Sequence, residues 1–163
     1  RRPPAPGGGT VSTTTRSMTV PAAPDAVWTV LADFGHLAEW ARDVDHSCLT
    51  TEQAEGIGAA RRVQVGPLTL VETVTEWEGG RSLAYTLDGL PPFVRRAVNR
   101  WVLEPAGPDH TTITLTLDMT PGPRPPMWPA TMIATAVVRR ATDRMLGGLT
   151  EAVRRADRLM ATE

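Results

Sequence analysis

The sequence predicts an α+β fold: a curved antiparallel sheet of about seven strands wrapped around one long C-terminal helix, with two short helices after the first strand. Three observations predict it. A β-branched run at the start of the chain stops at Pro21 and gives way to a helical apolar pattern. From Val44 to Met119 strand-like runs alternate with Gly- and Pro-containing turns, and from Ala130 onward apolar residues recur at helical spacing.

Each element has its own signal. Val11 to Val20 (VSTTTRSMTV) is rich in β-branched residues and reads as the first strand. Pro24 and Asp25 then open a helix, since Pro suits the first helical position and Asp favours the positive end of the helix dipole. Val27, Trp28, Val30 and Leu31 supply its apolar face, with 27, 30 and 31 at helical spacing, and a shorter helix is predicted over His36 to Trp40. Strands are expected near 44–52, 59–66, 68–77, 81–88, 95–104 and 111–120, separated by Glu55-Gly56, Gly66-Pro67, Gly79-Gly80, Gly89-Leu90-Pro91-Pro92 and Gly107-Pro108. Such short connections favour antiparallel neighbours. The clearest alternation sets Ile113, Leu115, Leu117 and Met119 against Thr112, Thr114, Thr116 and Asp118, so one face of the sheet is wet. Pro121 to Pro129 (PGPRPPMWP) is too proline-rich for helix or central strand, and a final helix is expected from about Ala130 to Met160. At 1.5 Å per residue it would be about 45 Å long, enough to cross the sheet. Met132, Ala136, Leu146, Leu149, Val153 and Met160 line one side, while Arg139, Arg140, Arg144, Arg154, Arg155 and Arg158 stay near water. Gly147-Gly148 interrupts the pattern and marks a bend or a close approach.

The chain has 163 residues; residues 1–10 (RRPPAPGGGT) read as a flexible tail and 11–163 as a single ligand-binding domain. The 18 acidic against 17 basic residues leave no strong field favouring nucleic acid or an anionic membrane. Every basic residue other than the histidines is arginine, which removes Schiff-base and P-loop lysine chemistry. Cys48 is alone, so no intrachain disulfide forms, no cysteine-rich metal site exists, and a reducing, cytoplasmic setting is expected. No apolar stretch follows the two N-terminal arginines, so no secretory signal is read. The uncharged segment Met127 to Val138 falls short of the ~18 residues that span a bilayer, so no stable membrane insertion is expected.

Three blocks carry a resemblance: VPAAPDAVWTVLADFGHLAEW (Val20 to Trp40), GIGAARRVQVGPLTLVETVTEWEGGRSLAYTL (Gly56 to Leu87) and NRWVLEP (Asn99 to Pro105). With them residues 11–160 resemble the helix-grip (START-like, SRPBCC) superfamily, which includes the major birch pollen allergen, START lipid-transfer domains and plant abscisic-acid receptors. The chain looks most like actinobacterial members of its polyketide cyclase/dehydrase-like branch. The resemblance implies a hydrophobic cavity between the concave sheet and the final helix, gated by loops at one end. Gly66-Pro67-Leu68 and Gly89-Leu90-Pro91-Pro92-Phe93 are placed like the entrance loops of ligand-sensing relatives; as turn chemistry alone they are ordinary hairpin turns. Members range from carriers to receptors to enzymes, so no catalytic motif is carried over.

Strand parity nominates the cavity lining. If Leu68, Leu70 and Val74 face inward, Glu72 and Glu76 share that face. A lone carboxylate there would have its charged form disfavoured by desolvation, which suits proton transfer or a ligand hydroxyl. The alternatives are a pairing with Arg61 on the adjoining strand, or a shift of face that puts Glu72 in water. Tyr85 falls in register with Leu83 and Leu87. Asn99 and Trp101 share a face with Ala97 and Leu103, opposite Arg96 and Arg100, and an inward Asn requires partners that a ligand or water can supply. Leu115 and Leu117 come from the alternating strand, Met132 from the final helix, and Trp40, Trp101 and Trp128 shape the walls or simply pack.

Other chemistry is poorly supplied. His36, His46 and His110 are scattered without metal-ligand spacing. No Gly-x-Ser-x-Gly elbow is present, and Gly56-Ile57-Gly58 lacks the third glycine of a dinucleotide loop. The expectation is therefore a carrier or sequestering protein for a hydrophobic small molecule (lipid, polyketide or isoprenoid), needing no cofactor and existing as a monomer or weak homodimer. The alternatives are an aromatase/cyclase-like enzyme on a polyketide intermediate, with Glu72 or Tyr85 moving protons, and a ligand-sensing interaction domain.

Overall fold

The computed structural model describes residues 11–123 and the backbone of 128–160, with the side chains of the last helix described over 138–159. The predicted tail 1–10, part of the proline-rich segment, and the side chains of Trp128, Met132, Ala136 and Met160 lie outside the described residues.

The elements run β1 (Ser12–Val20), α1 (Pro24–Ala32), a short 3-10 helix (Phe34–Glu39), β2 (His46–Leu49), β3 (Ala60–Val65), β4 (Leu68–Glu78), β5 (Ser82–Asp88), β6 (Val94–Pro105), β7 (Thr111–Pro121) and α2 (Trp128–Met160). All seven strands form one antiparallel sheet in the order β1-β7-β6-β5-β4-β3-β2, as short hairpin connections dictate. β2 is shorter than the predicted 44–52. Beyond it the Thr51 hydroxyl and the Gln53 amide bond to nearby backbone carbonyls, which competes with the sheet ladder.

The outer face of β1 and β7 is polar: Thr15, Ser17 and Thr19 meet Thr116, Thr114 and Thr112 through hydroxyl pairs at 2.9–3.2 Å. The inner face is apolar and curls around α2. Val20, Val27, Leu31, Leu83, Trp101, Leu103, Ile113, Leu146, Leu149 and Val153 belong to one buried core. The predicted arginines of α2 from Arg139 to Arg158 are all exposed.

Three local expectations are corrected. α2 begins at Trp128, because Pro129 is tolerated in a first turn where its missing N–H would have no partner. Gly147-Gly148 does not interrupt the helix, which runs through to Met160. Gly148 instead marks a close approach, since a Cβ there would fall under 3.0 Å from the backbone carbonyl oxygen of Trp40, whereas one at Gly147 would meet nothing within 4 Å. Finally, the β4–β5 register shifts between Val74 and Glu76, a bulge at Thr75 that reverses the parity of the remainder of β4. Glu76 therefore leaves the inner face, accepts from Ser82 Oγ at 2.7 Å and pairs with Arg100 at 3.1 Å on the outer face, while Trp77 takes the inner position opposite Leu83.

Candidate functional site

The inner face is organised in cross-strand rows set by the register. One row runs Trp77, Leu83, Trp101, Leu115 and Arg16. The next runs Val74, Tyr85, Asn99, Leu117 and Thr14, and the third Arg61, Glu72, Leu87, Ala97, Met119 and Ser12. The first row is closed: Trp101 and Leu115 have 0% and 1% of their surface exposed, and Trp40 packs edge-on against Trp101 with centroids 6.1 Å apart. In the second and third rows Leu87, Leu117 and Met119 are only half-buried, while Val74 and Ala97 are buried, as is Leu70 one row further along opposite Val63. These rows lie toward the sheet end that carries the Gly66-Pro67 and Gly89–Phe93 turns and the end of β7, from which the chain passes to α2.

A polar cluster sits among these apolar side chains. The two-residue turn Gly66-Pro67 sets Val65 opposite Leu68 and thereby Arg61 opposite Glu72. Arg61 Nε donates to Glu72 Oε2 at 2.6 Å, and both side chains are almost wholly buried. Of the alternatives open for Glu72, the structure adopts the ion pair, so the premise of a lone carboxylate does not hold. Arg61 Nη1 also donates to the Phe34 carbonyl at 2.8 Å, and its guanidinium lies 3.8 Å from the Phe34 ring centroid and 5.0 Å from that of Tyr85. Charge, hydrogen bonds and ring faces together compensate for desolvating the cation.

Tyr85 links this pair to the second row. Its Oη accepts from Trp101 Nε1 at 3.3 Å and from Asn99 Nδ2 at 3.5 Å, which supplies the partners an inward Asn requires. Burial pushes the Tyr85 phenol up to about 12, reinforced by the nearby Glu72 charge and opposed by Arg61 and the two hydrogen bonds. It stays a neutral hydroxyl at physiological pH. Among the described residues no buried side-chain nitrogen or oxygen lacks a hydrogen-bond partner.

Leu70, Glu72, Val74, Tyr85, Leu87, Asn99 and Leu117 thus meet on one surface, while Trp40, Trp101 and Leu115 sit in the packed end beside it. Trp128 and Met132 belong to a helix segment whose side chains are outside the described residues. Sequence reasoning left Phe34 out of the site. It is far from Arg61 along the chain, and no local pattern announces that contact.

Elsewhere, a surface cleft of about 520 Å³ lies beside α1 and the 3-10 helix, lined by Trp28, Asp33, His36, Leu49 and Glu55 among others. The exposed His36 donates through Nδ1 to Asp33 Oδ1 at 2.6 Å, and that hydrogen bond and the Asp33 charge hold the imidazole above its ordinary value. Among the described residues no group of three or more His, Cys, Asp or Glu could hold a metal ion, and no helix is long and apolar enough to cross a membrane.

The family model described as polyketide cyclase/dehydrase and lipid transport matches residues 12–154. No curated protein matches. Among solved structures, the chain is similar to the Zhui aromatase/cyclase of a Streptomyces species, with TM-score 0.78, 21% identity, and 90% of this chain and 95% of that one covered. A START superfamily protein of Mycobacterium smegmatis aligns with TM-score 0.65 and 16% identity over 90% and 98% of the two chains. Norcoclaurine synthase of Thalictrum flavum, solved as a point mutant with a transition-state analogue, gives TM-score 0.72 and 13% identity over 91% and 97%. At these identities the likeness establishes the helix-grip fold.

Proposed function

The chain belongs to the polyketide cyclase/dehydrase and lipid-transport family, and on that premise we propose that it binds a hydrophobic small molecule, a lipid, polyketide or isoprenoid, between the inner sheet face and the first half of α2, as a carrier or sequestering protein. One observation carries the proposal. Along the inner face of β5 and β7 exposure rises from the buried Leu83 and Leu115 to Leu87, Leu117 and Met119, which are apolar and half-buried. A concave apolar surface with a few convergent polar groups is the ordinary make-up of a small-molecule site. The saturated polar cluster supports binding over chemistry, because Glu72 is tied to Arg61 and Tyr85 is held neutral.

Native mass spectrometry of freshly purified protein, followed by organic extraction, tests the proposal. A stoichiometric lipophilic compound is the expected result. A bare protein that also fails to bind fatty-acid esters, sterols and aromatic polyketides would overturn it.

A second reading, an aromatase/cyclase-like enzyme on a polyketide intermediate, draws on the proximity of Arg61, Glu72, Tyr85 and Asn99 on one surface. A guanidinium and an amide polarise carbonyls, and a phenol delivers protons to a developing enolate. Under this reading Tyr85→Phe and Glu72→Gln slow cyclisation of a supplied poly-ketone. Unchanged rates in both variants would remove it.

A further inference from the structure

The charges on the inner face narrow the class of ligand. Arg61 and Glu72 cancel one another, and among the described residues they are the only ionised groups in the two rows toward the open end. The other inner-face cation, Arg16 on β1, is bonded to Asp143 of α2 at 3.0 Å. Glu76, Arg96, Arg100 and Asp118 belong to the outer face by register, and Glu76, Arg100 and Asp118 have partners there. Among the described residues, the ionised side chains that the register places on this face, taken with the Asp143 partner of Arg16, therefore carry no net charge.

Within the polar cluster the side chains differ slightly in enclosure. Asn99 keeps 6% and Glu72 4% of its surface, against 2% for Arg61 and 1% for Tyr85, so the amide and the carboxylate are its least enclosed members. An entering headgroup would meet a carboxylate whose counter-charge is already engaged. A carboxylate ligand would bring an uncompensated negative charge into a desolvated site beside Glu72, and both like-charge repulsion and desolvation oppose that. A ketone, ester or alcohol oxygen needs only a donor, and Asn99 Nδ2, which gives one N–H to Tyr85, has a second to offer.

We infer that the site selects uncharged lipophilic ligands carrying a ketone, ester or hydroxyl oxygen, and that Glu72, by neutralising Arg61, is the residue that excludes carboxylates such as free fatty acids. The inference rests on the binding function proposed above and adds the sign of the headgroup.

The test compares dodecanoic acid, its methyl ester and the matching methyl ketone on the wild-type protein at neutral pH, by tryptophan fluorescence titration and native mass spectrometry. The ester and ketone are expected to bind at least about tenfold tighter than the acid. Equal or tighter binding of the acid would overturn the charge assignment while leaving the binding function standing. Failure of all three to bind would overturn both. In Glu72→Gln, with folding checked by circular dichroism, the unpaired guanidinium should raise affinity for the acid and narrow or reverse the preference. The double variant Arg61→Met/Glu72→Met, in which no buried charge is left unpaired, should keep the ester and gain nothing for the acid. A gain of acid binding in the double variant would show that Arg61 is not the group Glu72 restrains.

Discussion

Gly147 and Gly148 stand side by side in α2, yet alanine at the two positions should move stability in opposite directions. At Gly147 a new Cβ meets nothing within 4 Å, so the substitution acts only through helix propensity. That contributes about 1 kcal/mol of stabilisation. At Gly148 the same methyl would fall under 3.0 Å from the Trp40 carbonyl oxygen and 3.3 Å from its carbonyl carbon. These are backbone atoms at the end of the 3-10 helix, so no side-chain rotation relieves the overlap. Normal contact requires α2 to retreat by on the order of 1 Å, loosening the buried Leu146 and Leu149 on either side. Overpacking of this kind costs about 1–3 kcal/mol, and a backbone obstacle places it toward the upper end. After the propensity gain the net loss is about 2 kcal/mol, leaving the two variants ~3 kcal/mol apart. For a chain of this size that separation is roughly 6–12 °C in Tm. Urea denaturation and differential scanning calorimetry on the two single variants supply the assay. If Gly148→Ala is as stable as wild type, or both variants shift the same way, α2 does not rest on the Trp40 backbone as described.

Three further outcomes are expected. Glu72→Ala leaves a buried guanidinium unpaired and should cost about 3–5 kcal/mol, whereas Arg61→Met/Glu72→Met should lie close to wild type; a double variant as unstable as the single one by urea denaturation would contradict the account of the pair. Tyr85 is the only tyrosine in the sequence, so ultraviolet titration of the folded protein reports it alone, and its phenolate should form near 12. Because the unfolded chain releases this proton near the ordinary value of 10.0, the Tyr85 contribution to stability is intact below that pH and is lost as pH rises to about 12. A midpoint near 10 in the native state would refute the burial. Asp33→Asn should lower the His36 titration midpoint seen by NMR, since Asp33's hydrogen bond and charge raise it in the wild type; that small contribution is present below the ordinary His value and lost as pH rises through the folded one. An unmoved midpoint would mean the Asp33 contact is not maintained in solution.

Part of the candidate site was legible along the chain. Period-two alternation placed Leu70, Glu72, Tyr85, Asn99 and Leu117 on the inner face before any contact was known, because a strand's parity is fixed once one of its apolar residues is buried. Pairing with Arg61 stood as one of the alternatives for Glu72, and the two-residue turn at Gly66-Pro67 makes that pairing a matter of register. Parity failed at Glu76. A bulge inserts one residue without any distinctive sequence, and here the inserted residue is Thr75, which suits a regular strand equally well. The Phe34 contact was likewise invisible, since stacking on Arg61 depends on how the 3-10 helix docks against β3 and β5.

What the sequence determined by itself is the order and type of the elements: hydrophobic period and turn residues act within a few positions, and short connections leave antiparallel pairing as the accessible arrangement. The absence of lysine, the single cysteine and the balanced charge likewise narrowed the chemistry without a structure. What only the tertiary structure decided is which groups spend their hydrogen-bonding capacity on one another. Whether Glu72 is a lone carboxylate or half of an ion pair, whether Tyr85 titrates near its ordinary value or near 12, and whether Gly148 is a bend or a contact all depend on atoms distant in sequence. Desolvation and close packing are properties of the assembled interior, so the mutual neutralisation of Arg61 and Glu72, on which the ligand's headgroup depends, emerged only when the sheet and the 3-10 helix had come together.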